Sequence, residues 1–128
     1  VYHFRKIFEL PDQPKSFWVH VSADNRYKLY VNGQLASLGP ARGDFHHWHF
    51  ETVDLAPFLK QGKNVLAAEV WNFGKHSPVA QISFRTGFIL QGDQPETRVV
   101  DTNASWKGIR NAAYSPLTPD FQGFLAAG

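Results

Sequence analysis

The amino-acid sequence predicts an all-β chain, an antiparallel β-sandwich or jelly roll. Three observations lead there. Seven or eight stretches read as strand candidates, turn-forming residues recur about every 8 to 12 positions, and nothing amphipathic runs beyond a helical turn or two. The 128 residues suit a single domain, 1–128, with a core of its own.

The chain is organised around residues 23–33. Tyr27, Leu29 and Val31 fall on one side of the two-residue period and Arg26, Lys28 and Tyr30 on the other, as in a strand with one buried face. Asn32-Gly33 then tolerates the positive φ angles of a tight type I′ turn, so the strand should double back into Gln34, Leu35 and Ala36.

Taken in order, residues 4–10 form a first strand with Phe4, Phe8 and Leu10 on one face, stopped by Pro11 and Pro14. Residues 16–23 form a second. Phe17, Val19, Val21 and Ala23 share its buried face, and Trp18, His20 and Ser22 the other. Asp24-Asn25 supplies the turn into the hairpin. Residues 37–48 hold two glycines and a proline and should be a long loop rich in functional groups. Strand character resumes over 49–54, and Asp54 can cap a short helical turn bearing Leu55, Phe58 and Leu59, ended by Gly62.

Residues 64–73 are apolar on both faces apart from Glu69, which predicts a strand covered on both sides. Residues 81–90 place Ile82, Phe84, Phe88 and Leu90 on one face, and residues 91–96 read as a hinge or surface connection. Val99-Val100 with Trp106 and Ile109 suggest one more strand pair. The tail, residues 112–128, carries Pro116 and Pro119 and should run extended over the surface or toward a neighbour.

Bulk composition narrows the function classes. Lys+Arg 13 against Asp+Glu 11 gives +2, and the basic residues are scattered, so no nucleic-acid partner is expected. No apolar run approaches the roughly 18 to 20 residues of a membrane helix, and no membrane partner is expected. The absence of cysteine excludes disulfides, thiolate metal sites and a cysteine nucleophile, and leaves the compartment open. Aromatic residues make up 15% of the chain, enough to fill a sandwich core and to stack on sugar rings. With no Met even at position 1, the chain is expected to be a piece of something longer.

Several segments together carry a family resemblance: Ser22-Ala23-Asp24-Asn25-Arg26-Tyr27, Tyr30-Val31-Asn32-Gly33, Gly39-Pro40-Ala41-Arg42-Gly43-Asp44 with Trp48, Asp54-Leu55-Ala56-Pro57-Phe58-Leu59 with Gly62 and Asn64-Val65-Leu66-Ala67, and Val70-Trp71-Asn72-Phe73-Gly74. In this order and spacing, over residues 5–110, they resemble the N-terminal β-sandwich module of bacterial α-L-rhamnosidases, and more distantly the jelly-roll sugar-binding domain of β-galactosidase-type glycosidases. The resemblance implies a galactose-binding-like fold within a multidomain glycoside hydrolase whose paired carboxylates lie in a separate all-α barrel. It carries over no catalytic residue. It implies an accessory module that binds carbohydrate of rhamnose or galactose type or buttresses the catalytic domain of the same parent chain.

Among candidate sites, Arg42, Asp44, His47 and Trp48 are the expected ligand contacts. A guanidinium and a carboxylate can hydrogen-bond sugar hydroxyls while an indole or imidazole stacks on a pyranose. The competing account has Arg42 and Asp44 pin the loop and Trp48 plug the sandwich edge. Asn32, Gly33, Glu69 and Trp71 are assigned structural roles, Glu69 by pairing with an arginine such as Arg42. The alternative makes the chain a self-contained small glycosidase using Glu69 with Glu51 or Asp54. His46, His47 and His49 lack the one-face geometry of a zinc site. No cofactor is expected; calcium is the ion that sugar-binding jelly rolls use, for which Asp24-Asn25 or Asp101 to Asn103 would supply oxygens. Arg42-Gly43-Asp44 and Asn103-Ala104-Ser105 match the integrin and glycosylation tripeptides, matches too short to carry weight.

Overall fold

The computed structural model describes residues 1–76, 83 and 85–114. Eight strands are present among them: β1 (Tyr2–Leu10), β2 (Trp18–Asp24), β3 (Arg26–Val31), β4 (Gln34–Gly39), β5 (Glu51–Asp54), β6 (Gly62–Trp71), β7 (Gly87–Gly92) and β8 (Lys107–Arg110). They make two antiparallel sheets, one five-stranded in the order β4-β3-β6-β1-β8 and one three-stranded in the order β5-β2-β7. The all-β sandwich read from the sequence is thus observed.

The core lies between the sheets and follows the two-residue period. Phe17 and Val19, Val21 and Ala23 of β2 face Tyr27, Leu29 and Val31 of β3 and Leu66, Ala68 and Val70 of β6, all buried. Full burial of one such aliphatic side chain contributes about 1.5–3 kcal/mol. The hairpin turns as expected: Val31 pairs with Gln34, and Asn32 and Gly33 take φ of 51° and 82°. Asn32 also ties the turn to its surroundings. Its Nδ2 donates to the Phe58 carbonyl and to Asn64 Oδ1, both at 2.9 Å, and its Oδ1 accepts Val65 N–H at 3.0 Å.

The N-cap of the 3-10 turn Ala56–Phe58 is Leu55, not Asp54; Asp54, one residue earlier, accepts Ala56 N–H at 3.0 Å through a local side-chain turn. The same oxygen accepts Phe17 N–H at 2.8 Å and so joins this turn to the start of β2.

Three further expectations need correction. Strand β4 runs on to Gly39 through an irregularity opposite Leu29 and Tyr30, so the loop begins three residues later than its Ser-Leu-Gly composition suggests. Strand β6 is covered on one side only. Asn64, Leu66, Ala68 and Val70 are buried, while Val65, Ala67, Glu69 and Trp71 are half-exposed, because no described layer packs on the outer face of the five-stranded sheet. Val99 and Val100 belong to the 3-10 segment Pro95–Val100, not to a strand; Gln94 and Thr97 form a capping box, and Thr97 and Val100, three apart, turn onto the core. Of the two readings of residues 91–96, the surface connection is what is seen: β7 extends through Gly92, Asp93, Gln94, Pro95 and Glu96 are exposed, and Pro95 opens that 3-10 segment. Ile82, Phe84 and residues 115–128 lie outside the described residues.

Candidate functional site on the outer face of the three-stranded sheet

Strand alternation turns His20 and Ser22 of β2 and Ile89 and Gln91 of β7 away from the core, onto the outer face of the three-stranded sheet. The loop after β4 folds back over that face and lays Trp48, His49 and Phe50 beside them. Together these residues line a hollow of about 270 Å³. A second hollow of about 280 Å³, lined by Asp24, Gly87 and Phe88 among others, adjoins the same indole. Trp48, 37% exposed, lines both.

The indole is held in place. Trp48 Nε1 donates to Ser22 Oγ at 3.1 Å, and Ser22 Oγ in turn donates to the His49 carbonyl at 2.7 Å. Phe45, 65% exposed, packs at a tilt 6.4 Å from Trp48. On the β5 side, His20 bridges Thr52 Oγ1 through Nδ1 and Asp93 Oδ1 through Nε2, each at 2.9 Å, while the Phe50 ring meets the imidazole edge-on at 5.3 Å. Hydrogen bonds from the Gln94 side chain and His20 hold the Asp93 carboxyl below its ordinary value. The result is an aromatic wall with hydroxyl, imidazole and amide groups around it, the combination that fits a small polar molecule with one apolar face.

Of the four expected ligand contacts, Trp48 is the one that lines these two hollows. Asp44 pins its own loop: it accepts the N–H groups of His46 and His47 at 2.8 and 2.9 Å and pairs with His47 Nδ1 at 3.0 Å. His47 first, then the backbone N–H groups, lowers the Asp44 carboxyl below the ordinary carboxylate range. Arg42 lies in the same loop and lines neither hollow. His20, Phe50, Ile89 and Gln91 were not among the expected contacts. The period-two pattern of β2, which puts His20 and Ser22 opposite the core, was the signal that pointed to two of this set.

Glu69 is not paired with Arg42. Among the described residues the ion pairs are His20–Asp93 and His47–Asp44. Glu69 lies on the five-stranded sheet between Lys28 and His3 in register, whereas Glu51 and Asp54 belong to β5 of the other sheet. Glu51 accepts Ala41 N–H at 2.8 Å, and Asp54 is engaged with Phe17 and Ala56, so the structure does not assemble these acids into a facing pair. Trp71 is half-buried, with Lys28 Nζ 5.9 Å from its ring centroid.

No group of three or more His, Cys, Asp or Glu side chains is placed to hold a metal among the described residues. The oxygens considered for calcium have protein partners: Asp24 accepts from Asn25, Asn72 and Ser83, and Asp101 from Gly92.

No protein-family model and no curated protein matches the chain. Solved structures do. A GH78 family rhamnosidase of Bacillus sp. GL1 superposes with a TM-score of 0.76 at 29% identity, over 85% of this chain and 12% of that one. The α-L-rhamnosidase of Dictyoglumus thermophilum matches with a TM-score of 0.67 at 22% identity, over 84% of this chain and 13% of its own. A Pleurotus ostreatus lectin shares the fold at a TM-score of 0.56 and 23% identity, over 94% of this chain and 33% of the lectin. The resemblance read from the sequence therefore holds at the level of structure, and the chain spans about an eighth of the rhamnosidases it matches.

Proposed function

We propose that this chain is a non-catalytic accessory module of an α-L-rhamnosidase-like glycoside hydrolase, and that it receives a sugar ring against Trp48. The observation that carries the sugar-binding part is the indole itself, fixed by Ser22 between two hollows whose rims present His20, Gln91 and Asp24. A pyranose has an apolar face for the indole and hydroxyls for the rim. Bond cleavage is left to the rest of the parent polypeptide, since the acids among the described residues are engaged or dispersed. The similarity in structure to short segments of much longer rhamnosidases supports the modular part.

The test is titration of the chain with L-rhamnose and with D-galactose, followed by tryptophan fluorescence and amide chemical shifts. Quenching that disappears in Trp48→Ala, with shifts at Ser22, Ile89 and Gln91, is the expected result. Silence toward both sugars would overturn the sugar-binding part.

A second reading draws on the exposed apolar rim of the same face: Phe45 65%, Phe50 60%, Ile89 56% and Trp18 46% exposed. In it the face buttresses the catalytic domain, and the same aromatics become protected from solvent when that domain is present.

A further inference from the structure

The opposite outer face, that of the five-stranded sheet, carries a second and larger groove of about 520 Å³, within the roughly 300–1,000 Å³ range of ligand clefts. We infer that it binds an acidic saccharide, with the sugar carboxylate held between Arg5 and Lys107.

Register explains how the groove arises. Tyr30, Ala67, Arg5 and Lys107 lie in one row across β3, β6, β1 and β8, and Lys28, Glu69, His3 and Ile109 in the next. The short side chain of Ala67 between Tyr30 and Arg5 leaves the trough. Arg5 and Lys107 stand directly opposite each other on adjacent strands, an arrangement of like charges that is unfavourable unless something negative lies between them. Among the described residues nothing does: both side chains are exposed, and neither makes an ion pair or a side-chain hydrogen bond.

The remaining groups narrow the ligand class. Arg5 can take a carboxylate with two parallel hydrogen bonds, and Lys107 adds a point charge. Glu69 lines the same groove and would repel a compact dianion such as phosphate, but it accepts hydrogen bonds from hydroxyls. His3 is oriented by Asn111, whose Nδ2 lies 3.1 Å from His3 Nε2, and its other ring nitrogen has no partner among the described residues. Tyr30 and Ile109 supply apolar surface to flank a ring. One carboxylate joined to several hydroxyls on a pyranose matches this set, which is the chemistry of a uronate.

The chain is titrated by calorimetry and by amide chemical shifts with a galacturonate trimer and with the neutral galactose trimer. The acidic trimer should bind, with shifts at Arg5, Ala67, Glu69 and Lys107 and with affinity that falls as salt is added. The Arg5→Gln, Lys107→Gln double variant, altered at exposed positions only, should bind it roughly tenfold more weakly or worse. Trp48→Ala should leave this binding unchanged, which separates it from the site on the other sheet. Equal binding of the neutral trimer at this groove, read from the shifts at Arg5, Ala67, Glu69 and Lys107, full affinity in the double variant, or inorganic phosphate competing there as well as the uronate would each overturn the inference, as would no binding of the acidic trimer at these residues.

Discussion

The hydroxyl of Ser22 accepts the indole N–H of Trp48 at 3.1 Å and donates its own proton to the His49 carbonyl at 2.7 Å, so one small side chain orients the aromatic wall and the strand-entering backbone together. Ser22→Ala removes both bonds and leaves a half-covered indole N–H without its acceptor. Stability should fall by about 1 kcal/mol, read from urea unfolding, and the quenching by sugar that the proposed function calls for should weaken. Ser22→Thr keeps the hydroxyl and should restore most of both.

Asn64 is fully buried and its side chain makes four hydrogen bonds: it accepts from Asn32 Nδ2 at 2.9 Å and Lys60 N–H at 3.0 Å, and donates to the carbonyls of Lys60 at 2.7 Å and Gly62 at 3.0 Å. Asn64→Ala strands several of these partners and should cost about 3 kcal/mol in chemical denaturation. Asn64→Asp should also destabilise, because a carboxylate cannot donate to the two carbonyls.

Two glycines should fail for different reasons. A Cβ on Gly33, at φ 82°, meets nothing within 4 Å, so Gly33→Ala carries only the left-handed backbone penalty of about 1 kcal/mol. A Cβ on Gly92 would clash with the Thr97 backbone. Gly92→Ala must push the Pro95–Val100 segment off the core and should cost about 2–3 kcal/mol. Thermal unfolding of the two variants should rank them in that order.

Burial pushes the Tyr27 hydroxyl up to about 12, even though its hydrogen bond with Ser37 opposes the shift. A folded pKa above the unfolded value of 10.0 means that the unfolded chain loses its phenolic proton first as pH rises. Stability from this group is therefore intact below pH 10 and declines between pH 10 and 12, by about 2–3 kcal/mol in all. Tyr27→Phe should flatten that part of the stability–pH curve, measured by denaturant unfolding across the range.

Asp93 shows the opposite sign. Its carboxyl is held below 3.8 by Gln94 and then by His20, so whatever it contributes is present above pH 3.8 and lost as pH falls through the folded value. In a carboxyl-detected titration His20→Ala should move the Asp93 midpoint part of the way back toward 3.8, with Gln94→Ala supplying the larger share.

The sequence alone determined the strands whose faces differ, because alternate burial writes itself into residue type: β2 and β3 alternate apolar with polar, and Asn32-Gly33 marks the turn through its backbone chemistry. It could not show that β6 is covered on one side only, since Ala67 and Val65 are apolar whether or not a layer packs on them. Nor could it bring His20, Trp48 and Ile89 to one hollow, or Arg5 and Lys107 face to face. Those neighbours are far apart in the chain and meet only through strand order and register, which depend on how the two sheets close over a shared core.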